Sequence, residues 1–335
     1  MPIQGKENTL GSQNPVWAFF IHRNVCKFPH IIKVELITYG EEALMGYFDF
    51  EKKSEFMVCI DSDGCAMDTM EVKHRTCFGT QWIATYGLEA YQDECMKLWL
   101  DINLYSITRG VNRFKGLAMA LEEMVKRGVL VTDKKAAVGG KIYIGGLEEF
   151  VSWTKEAKEL SNPALLAFAQ KSNSECVEKA LLWSIRTNRA IYHLPAEDKP
   201  FLNVKKAMDA MCKQADLAAV SSANGEAVEA EWSKHQLKEE CRVLLCQEAG
   251  SKAYCIGEMI KKGYAKEKIL MVGDAPGDRD AAVKNGVLYY PILVGKEAES
   301  WERLLNEAFP KLLEGSFDSN YQTELIREFE KNLGV

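Results

Sequence analysis

The sequence has no long basic run and no hydrophobic run long enough to cross a membrane. Its 335 residues carry 42 Lys and Arg against 48 Asp and Glu, a formal net charge of -6 at pH 7. Proteins whose main partner is nucleic acid or an anionic membrane normally present clustered positive charge, so neither partner is expected here. The apolar run VWAFFI at 16–21 is too short for a membrane span or the core of a signal peptide. We therefore expect a soluble, cytoplasmic protein.

The cysteines and histidines lack the spacing of a zinc site or a disulfide framework. None of the ten cysteines forms a CxxC pair, and the five histidines show no ligand spacing with them. Several cysteines lie in apolar runs, such as Cys59 in FMVCI and Cys246 in RVLLCQE. A free cysteine in such a run behaves as a small hydrophobe. The pattern predicts free thiols in a reducing compartment and no zinc.

The order of the predicted elements separates two regions. A chain of 335 residues exceeds the usual single domain, which predicts two domains or one domain with a large insertion. FMVCI at 56–60 is a continuous apolar run, typical of a strand buried on both faces. Residues 76–199 show mostly helical apolar spacing, whereas strands and helices alternate over 200–300. This order predicts an α/β fold, a doubly wound parallel sheet with a mostly α-helical cap domain inserted after its first strand.

The predicted domain boundaries follow these patterns. Residues 1–55 are an N-terminal extension in which the β-branched and aromatic segments 31–39 and 43–51 predict a β-hairpin. Within the cap, Asn162 is expected to cap a helix that carries Pro163 in its first turn. The other boundaries are an α/β core at 56–75 and 200–300, the cap at 76–199 and C-terminal helices at 301–335.

Polar side chains follow the predicted strands where ligands of an open α/β sheet bind, beyond the carboxyl ends. Carboxylates clustered there would repel one another unless a cation intervened. Mg²⁺ usually binds a few carboxylates together with substrate phosphate, and a lysine or hydroxyl suits the phosphate oxygens. The set therefore predicts a phosphoryl group beside a magnesium ion. Its members are Asp61, Asp63, Ser221, Ser222, Lys252, Asp274 and Asp278.

These segments resemble the four motifs of the haloacid dehalogenase (HAD) superfamily, in the family's order. DSDGCAMDT at 61–69 resembles DxDGxxxDT, and VGDAPGD at 272–278 resembles GDxxxD. AVSSAN at 219–224 resembles the second motif, a strand ending in Ser or Thr, and Lys252 fits the third-motif lysine. The first and fourth motifs are specific, whereas the second and third gain weight from their positions. The resemblance covers roughly residues 56–75 and 200–295.

The resemblance implies a magnesium-dependent phosphatase that acts on a small phosphorylated metabolite. Asp61 would be the nucleophile that forms an aspartyl-phosphate. Asp63 would protonate the leaving oxygen and then act as base toward water. Lys252 and one of Ser221 and Ser222 would bind the phosphoryl oxygens. The implied magnesium ligands are Asp61, the backbone carbonyl of Asp63, Asp274 and Asp278, the last either directly or through water.

Other activities remain open on the same residues. A sugar-phosphate phosphomutase would differ only in whether the aspartyl-phosphate meets water or a substrate hydroxyl, and a non-catalytic binding protein would keep the fold alone. Dehalogenation is disfavoured because members with that activity lack the aspartate found here as Asp63. Phosphonate cleavage needs a cap lysine that forms a Schiff base, and no lysine is marked for it among Lys73, Lys97 and Lys115.

The segment TRGVNRFKG at 108–116 is the basic part of the cap. Its side chains either contact an anionic substrate or form a solvated loop between helices. The candidate contacts are Arg109, Asn112, Arg113 and Lys115. His74 and Arg75 lie at the junction of core and cap, where a hinge or structural role is expected, and Asp68 is expected to be structural. The sequence leaves the substrate and the oligomeric state open.

Overall fold

The structure is a computed structural model that describes residues 46–194 and 198–335. Most of the predicted hairpin lies outside these residues. Residues 46–51, the end of its predicted second strand, form a turn followed by irregular chain and no strand. This segment packs on the core instead, since Lys262 Nζ donates to the Phe50 carbonyl at 2.7 Å and lies 4.4 Å from the centre of its ring.

The core is a five-stranded sheet in which every pair of neighbours is parallel. This confirms the predicted α/β class. Its spatial order is β3-β2-β1-β4-β5, so the strand that was predicted first lies in the centre. The strands are β1 (Phe56–Ile60), β2 (Ala215–Val220), β3 (Cys241–Leu245), β4 (Ile269–Gly273) and β5 (Leu288–Pro291).

A mostly helical cap follows β1. It has its own hydrophobic core around Trp82, Trp99 and Trp183, which are fully buried and whose rings lie 5.6 Å apart in the two pairs that Trp99 makes. Two short parallel strands, Leu130–Val131 and Ile142–Tyr143, complete it. The cap helices are α1 (Met70–Val72), the π-helical Lys73–Gly79, α2 (Thr80–Tyr86), α3 (Gln92–Asn103), α4 (Arg113–Lys126), α5 (Leu147–Glu156), α6 (Asn162–Ala169) and α7 (Glu175–Tyr192).

The N-cap of helix α6 lies one residue earlier than predicted. Ser161 is its N-cap and accepts a hydrogen bond from the backbone N–H of Ala164 at 3.3 Å. Asn162 is the first helical residue, and its side-chain carbonyl accepts from the Ser184 hydroxyl at 2.6 Å. Both residue types cap helices well, and Ser161 takes the role because Asn162 is held by α7.

Helices cover both faces of the sheet. Val58 and Ile60 belong to one hydrophobic cluster, whereas Met57 and Cys59 belong to the other, as alternation along a strand requires. All four are fully buried. The helices after the cap are α8 (Val204–Met211), α9 (Gly225–Lys234), α10 (Lys252–Lys261), α11 (Pro276–Asn285), α12 (Glu297–Arg303), the π-helical Leu304–Ala308, α13 (Phe309–Glu314) and α14 (Ser319–Asn332).

The two links between core and cap run side by side. Met67 and Pro200 form an antiparallel bridge. The Asp68 N–H donates to the Lys199 carbonyl at 2.8 Å, and the Asp68 carboxylate lies 3.6 Å from the Lys199 ammonium. The chain therefore enters and leaves the cap at one place beside the end of β1.

The nine cysteines in the described part of the chain are all free, and seven of them are buried. Over residues 46–194 and 198–335, no helix is both long and apolar enough to cross a membrane.

Candidate active site

The carboxyl ends of the two central strands bring the first and fourth sequence motifs together. Ile60, the last residue of β1, is level with Val272 on β4. Asp61 follows directly, and its N–H donates to the Val272 carbonyl at 3.0 Å. Asp274 follows the end of β4 at Gly273. Parallel pairing thus puts the two aspartates at the same edge of the sheet.

Three carboxylates converge at this edge. Asp61, Asp274 and Asp278 each have an oxygen atom within 4.8 Å of the others. The three residues are only 5%, 1% and 0% exposed. Because water is largely excluded, their negative charges need a cation or a proton nearby.

Lys252 is one such cation. Its ammonium lies 2.8 Å from Asp61 Oδ1 and 2.5 Å from Asp278 Oδ1. It is the first residue of α10, whose N-cap Ser251 accepts from the Tyr254 N–H at 3.2 Å. Burial raises the pKa of Asp61 well above its usual range, and Lys252 only partly offsets this. Burial lowers and the two carboxylates raise the pKa of Lys252, with a net increase that keeps it charged.

The glycine before Asp274 is required by Asp278. The Asp278 Oδ2 atom accepts from the Ala275 N–H at 3.0 Å, which folds its carboxylate back over the strand end. A Cβ atom at Gly273 would lie 2.3 Å from the Asp278 carboxyl carbon. No side chain fits at position 273 in this arrangement.

Gly64 meets a similar requirement in the loop after β1. Its φ is 82°, a left-handed conformation that L side chains rarely adopt. A Cβ atom there would lie 2.5 Å from Arg109 Nη2 and 2.6 Å from Asp274 Oδ2. The chain turns sharply at this glycine, and the missing side chain also leaves room for these two charged groups.

Asp63 belongs to a separate polar network. Its Oδ1 atom accepts from the Thr69 hydroxyl at 2.5 Å and from the Lys73 ammonium at 2.7 Å. Lys73 also donates to Glu231 on α9 at 3.2 Å. Burial by itself would raise the pKa of Asp63, but Lys73 and Thr69 hold it below its ordinary value. Asp63 is therefore a carboxylate in this state.

Sequence reasoning missed most of this network. Lys73 was considered only as a Schiff-base lysine, and neither Thr69 nor Glu231 was singled out. Thr69 is the last residue of the DxDGxxxDT pattern, so a signal for it was present. Glu231 has no sequence signal, since it reaches Lys73 only through the packing of the cap against α9.

The two serines after β2 differ in exposure. Ser221 is buried, and its hydroxyl accepts from the Ala223 N–H at 3.1 Å. Ser222 is exposed. Which of them contacts phosphate stays a prediction.

The four cap candidates lie in different settings. Arg109 is buried and forms an ion pair with Asp274. Arg113 donates to Asn188 at 2.6 Å and to Ser184 at 3.2 Å, and burial lowers its pKa to about 10. Asn112 is the N-cap of α4, and Lys115 is exposed. A substrate contact by any of them stays a prediction.

His74 has a structural contact of the kind expected at the junction. Its Nδ1 atom accepts from Trp99 Nε1 at 3.0 Å, and its ring stacks on Phe78 with centroids 4.7 Å apart. Burial, with Arg109 nearby, lowers its pKa to about 3, so the ring is neutral at pH 7. Arg75 is exposed and pairs with Glu71.

The carboxylate cluster fits a magnesium ion. Its oxygen atoms are the hard ligands that Mg²⁺ prefers. Asp274 Oδ1 is buried and has no hydrogen-bond partner among the described residues, so it leaves a place for a cation. The cluster holds three formal negative charges against two positive charges, those of Lys252 and Arg109.

Comparisons with known proteins found similar solved structures, but none that supports an activity for this chain. No family model and no curated protein matches the chain. A Lactobacillus delbrueckii subsp. bulgaricus structure, assigned by prediction as a phosphoglycolate phosphatase, is 15% identical, with 76% of this chain and 100% of that chain covered and a TM-score of 0.45. A Thermotoga maritima structure, assigned by prediction as a beta-phosphoglucomutase, is 16% identical, with 76% and 99% covered and a TM-score of 0.41.

A third solved structure carries the name of the superfamily that the four motifs resemble. It is a haloacid dehalogenase-like family hydrolase from Streptococcus pneumoniae, 12% identical, with 74% of this chain and 90% of that chain covered and a TM-score of 0.38. These identities and scores are too low to support an activity. The case for a function therefore depends on the sheet, the cap and the site of this chain itself.

Proposed function

We propose that the protein is a magnesium-dependent phosphatase of the HAD type that hydrolyses a small phosphorylated metabolite through an aspartyl-phosphate. One observation carries the proposal. The predicted motif residues Asp61, Asp274 and Asp278 lie within 4.8 Å of one another, and Lys252 binds two of the three. A folded chain has no structural need for three buried carboxylates at one sheet edge, because their mutual repulsion is costly.

Asp61 is the proposed nucleophile. It lies at the end of the central strand, and its N–H is fixed by the Val272 carbonyl at 3.0 Å, so its position is set by the sheet. In the proposed step an Asp61 oxygen bonds to phosphorus, the bond to the leaving oxygen breaks, and an acyl phosphate remains on the protein. Lys252 is placed to balance the charge of Asp61 and of the phosphoryl oxygens.

Asp63 is the proposed acid and base. A neutral Asp63 would give its proton to the leaving oxygen, and the resulting carboxylate would then take a proton from the attacking water. Lys73 and Thr69 hold the carboxylate form, which is the form required in the second step. The network around Asp63 thus favours hydrolysis of the aspartyl-phosphate.

Magnesium bound by Asp61, Asp274, Asp278 and the Asp63 carbonyl would supply positive charge to the phosphoryl oxygens. The residues of the chain supply the rest. The cap contacts the site through Arg109 and Asp274, and Asp61 is only 5% exposed, so a closed cap would exclude bulk water and large polymers. This geometry supports a small substrate.

The test is an Asp61→Asn variant assayed for phosphate release from a panel of phosphorylated metabolites, with and without Mg²⁺. Asparagine keeps the size of the side chain and can still accept from Lys252, so the protein should fold, while turnover should fall at least about 10³-fold. The matched control is Asp101→Asn, which changes a half-buried cap aspartate that pairs with the exposed Lys97.

Two measurements complete the test. Mass spectrometry of acid-quenched wild-type protein should find the phosphoryl group on the peptide that contains Asp61. Product analysis with sugar phosphates separates free phosphate from an isomerised sugar phosphate, and so separates a phosphatase from a phosphomutase. Full activity of a folded Asp61→Asn protein would refute the proposed mechanism.

A further inference from the structure

A cap arginine, Arg109, forms an ion pair with Asp274, one of the proposed metal ligands. Arg109 Nε and Nη2 both lie 2.6 Å from the same oxygen atom, Asp274 Oδ2. The two side chains are only 3% and 2% exposed. The pair joins residues 165 positions apart, one in the cap and one at the end of β4. It is therefore a direct link between the cap and the site.

The cap loop holds this arginine in place. Arg109 Nη1 donates to the Leu104 carbonyl at 2.9 Å, and the Arg109 N–H donates to the Ser106 carbonyl at 2.8 Å. The next residue, Gly110, lies so close to the strand end that a Cβ atom there would be 2.7 Å from Ala275 Cβ. The loop is thus docked on the residues that follow Asp274.

The loop after β1 is shaped to admit the guanidinium. A Cβ atom at Gly64 would lie 2.5 Å from Arg109 Nη2, so a side chain at that position would block the contact. The same glycine lies between the proposed nucleophile and the cap. The space beside Asp274 therefore accommodates a cationic side chain from the cap.

The charge balance of the cluster shows how Arg109 and a metal ion would compete. Arg109 and Lys252 together balance two of the three carboxylates of the cluster. A divalent ion in place of Arg109 would balance all three. A metal and a guanidinium on one buried carboxylate would repel each other at short range, where water screens little. Arg109 holds Oδ2 and leaves Oδ1 without a hydrogen-bond partner among the described residues, so a metal ion on Oδ1 would face the guanidinium across one carboxylate, and each cation would weaken the binding of the other.

We propose that Arg109 is a built-in counter-ion that holds Asp274 Oδ2 in the metal-free protein and competes by charge with a divalent cation on Asp274 Oδ1, so that metal binding weakens the contact of the cap with the site. The inference rests on the proposed function, because it requires the magnesium site. Other ion pairs also join the cap to the core, such as Lys73 with Glu231 at 3.2 Å, so Arg109 is one of several ionic ties. Release of Arg109 opens the buried site from the side of Asp274.

The first test measures Mg²⁺ binding to the full-length protein by isothermal titration calorimetry, without substrate. Arg109→Gln removes the competing charge and keeps a polar side chain of similar length. We expect this variant to bind Mg²⁺ at least about tenfold more tightly than wild type, within the usual range of coupling between two ligands. The matched control is Arg127→Gln, a cap arginine that pairs with Glu94 and Glu123 away from the site, and its affinity should equal that of wild type.

A second measurement uses the wild-type chain and so does not depend on the folding of a variant. Hydrogen–deuterium exchange is followed over residues 104–112 with and without Mg²⁺. A weakened contact of Arg109 predicts faster exchange in this loop when Mg²⁺ is added, whereas a ligand that only tightened the structure would slow it. In Asp274→Asn the addition of Mg²⁺ should leave exchange in this loop unchanged.

The outcomes separate the two proposals. Equal Mg²⁺ affinity in wild type and Arg109→Gln overturns the competition and leaves the proposed phosphatase intact. Weaker affinity in the variant also overturns it and makes Arg109 a residue that positions Asp274 for the metal. If neither wild type nor any of the variants binds Mg²⁺, both this inference and the proposed metal-dependent function are refuted. Should Arg109→Gln fail to fold, slower or unchanged exchange in the wild-type loop overturns the inference by itself.

Discussion

Lys73→Met tests whether the cap controls the protonation of Asp63. The variant removes the ammonium that lies 2.7 Å from Asp63 and 3.2 Å from Glu231, and it keeps a long apolar side chain. Glu231 then remains near Asp63 without a shared cation. Both changes disfavour the charged form of Asp63, so its pKa should rise.

The size of the rise follows from the charges. Two unit charges about 4 Å apart near a protein surface interact by about 4 kcal/mol. At about 1.4 kcal/mol per unit, that corresponds to about 3 pKa units. The Thr69 hydroxyl still donates to Asp63 at 2.5 Å, and water can reach the space that Lys73 leaves. We therefore expect a smaller rise of about 1–2 pKa units.

The assay is the pH dependence of turnover with an aryl phosphate at saturating Mg²⁺. An activated leaving group needs no proton, so hydrolysis of the aspartyl-phosphate, which needs the Asp63 carboxylate, limits the rate. The acidic limb of the profile should move to higher pH by the same 1–2 units or so in Lys73→Met. Lys97→Met is the control, because Lys97 is exposed and pairs with Asp101 on the surface of the cap. An unchanged acidic limb in a folded Lys73→Met protein would show that Lys73 does not govern the pKa of Asp63.

Two further predictions concern stability. The buried Asp216 carboxylate accepts from Arg242, Tyr264 and two backbone N–H groups, and although burial opposes it, these donors hold its pKa below the ordinary value. Asp216→Asn should therefore lower the free energy of unfolding, measured in urea, by about 3 kcal/mol at pH 7. The difference from wild type should shrink as the pH falls below about 3.9, the pKa of an aspartate in the unfolded chain. A difference that stays constant with pH would contradict this. Gly64→Ala should lower the melting temperature and abolish activity, because its Cβ would lie 2.6 Å from Asp274 Oδ2; a calorimetric scan that matches wild type would disprove the strain.

The sheet and the catalytic candidates were predictable because both depend on local patterns. The five apolar residues of FMVCI match β1 from Phe56 to Ile60, since the run is bounded by charged residues at both ends. The carboxyl ends of parallel strands share one edge, so strand ends that carry Asp61 and Asp274 had to meet. The predicted N-cap of α6 was wrong by one residue because Ser161 and Asn162 are both good N-caps.

The contacts of the cap with the site were not predictable in the same way. Arg109 was singled out as a basic residue, but its partner Asp274 lies 165 positions away. Lys73 and Glu231 are 158 positions apart. Such pairs depend on how the cap packs on the core, which no local pattern of hydrophobic spacing specifies. Local sequence patterns thus predict the helices, the strands and the motifs, whereas the packing of the cap on the core decides which charged residues are neighbours.

The insertion of the cap after β1 also bears on how the chain folds. The central strand is made first, yet its partners in the sheet begin at Ala215 and Ile269, so the whole cap is synthesised before either is available. Such distant pairing is slow, because a long loop must close first. The cap has a hydrophobic core of its own, and once it is folded the bridge between Met67 and Pro200 holds the ends of that loop together. A cap that folds before the sheet is complete would therefore bring the end of β1 close to the chain that leads into β2, and so lower the entropic cost of pairing these two strands.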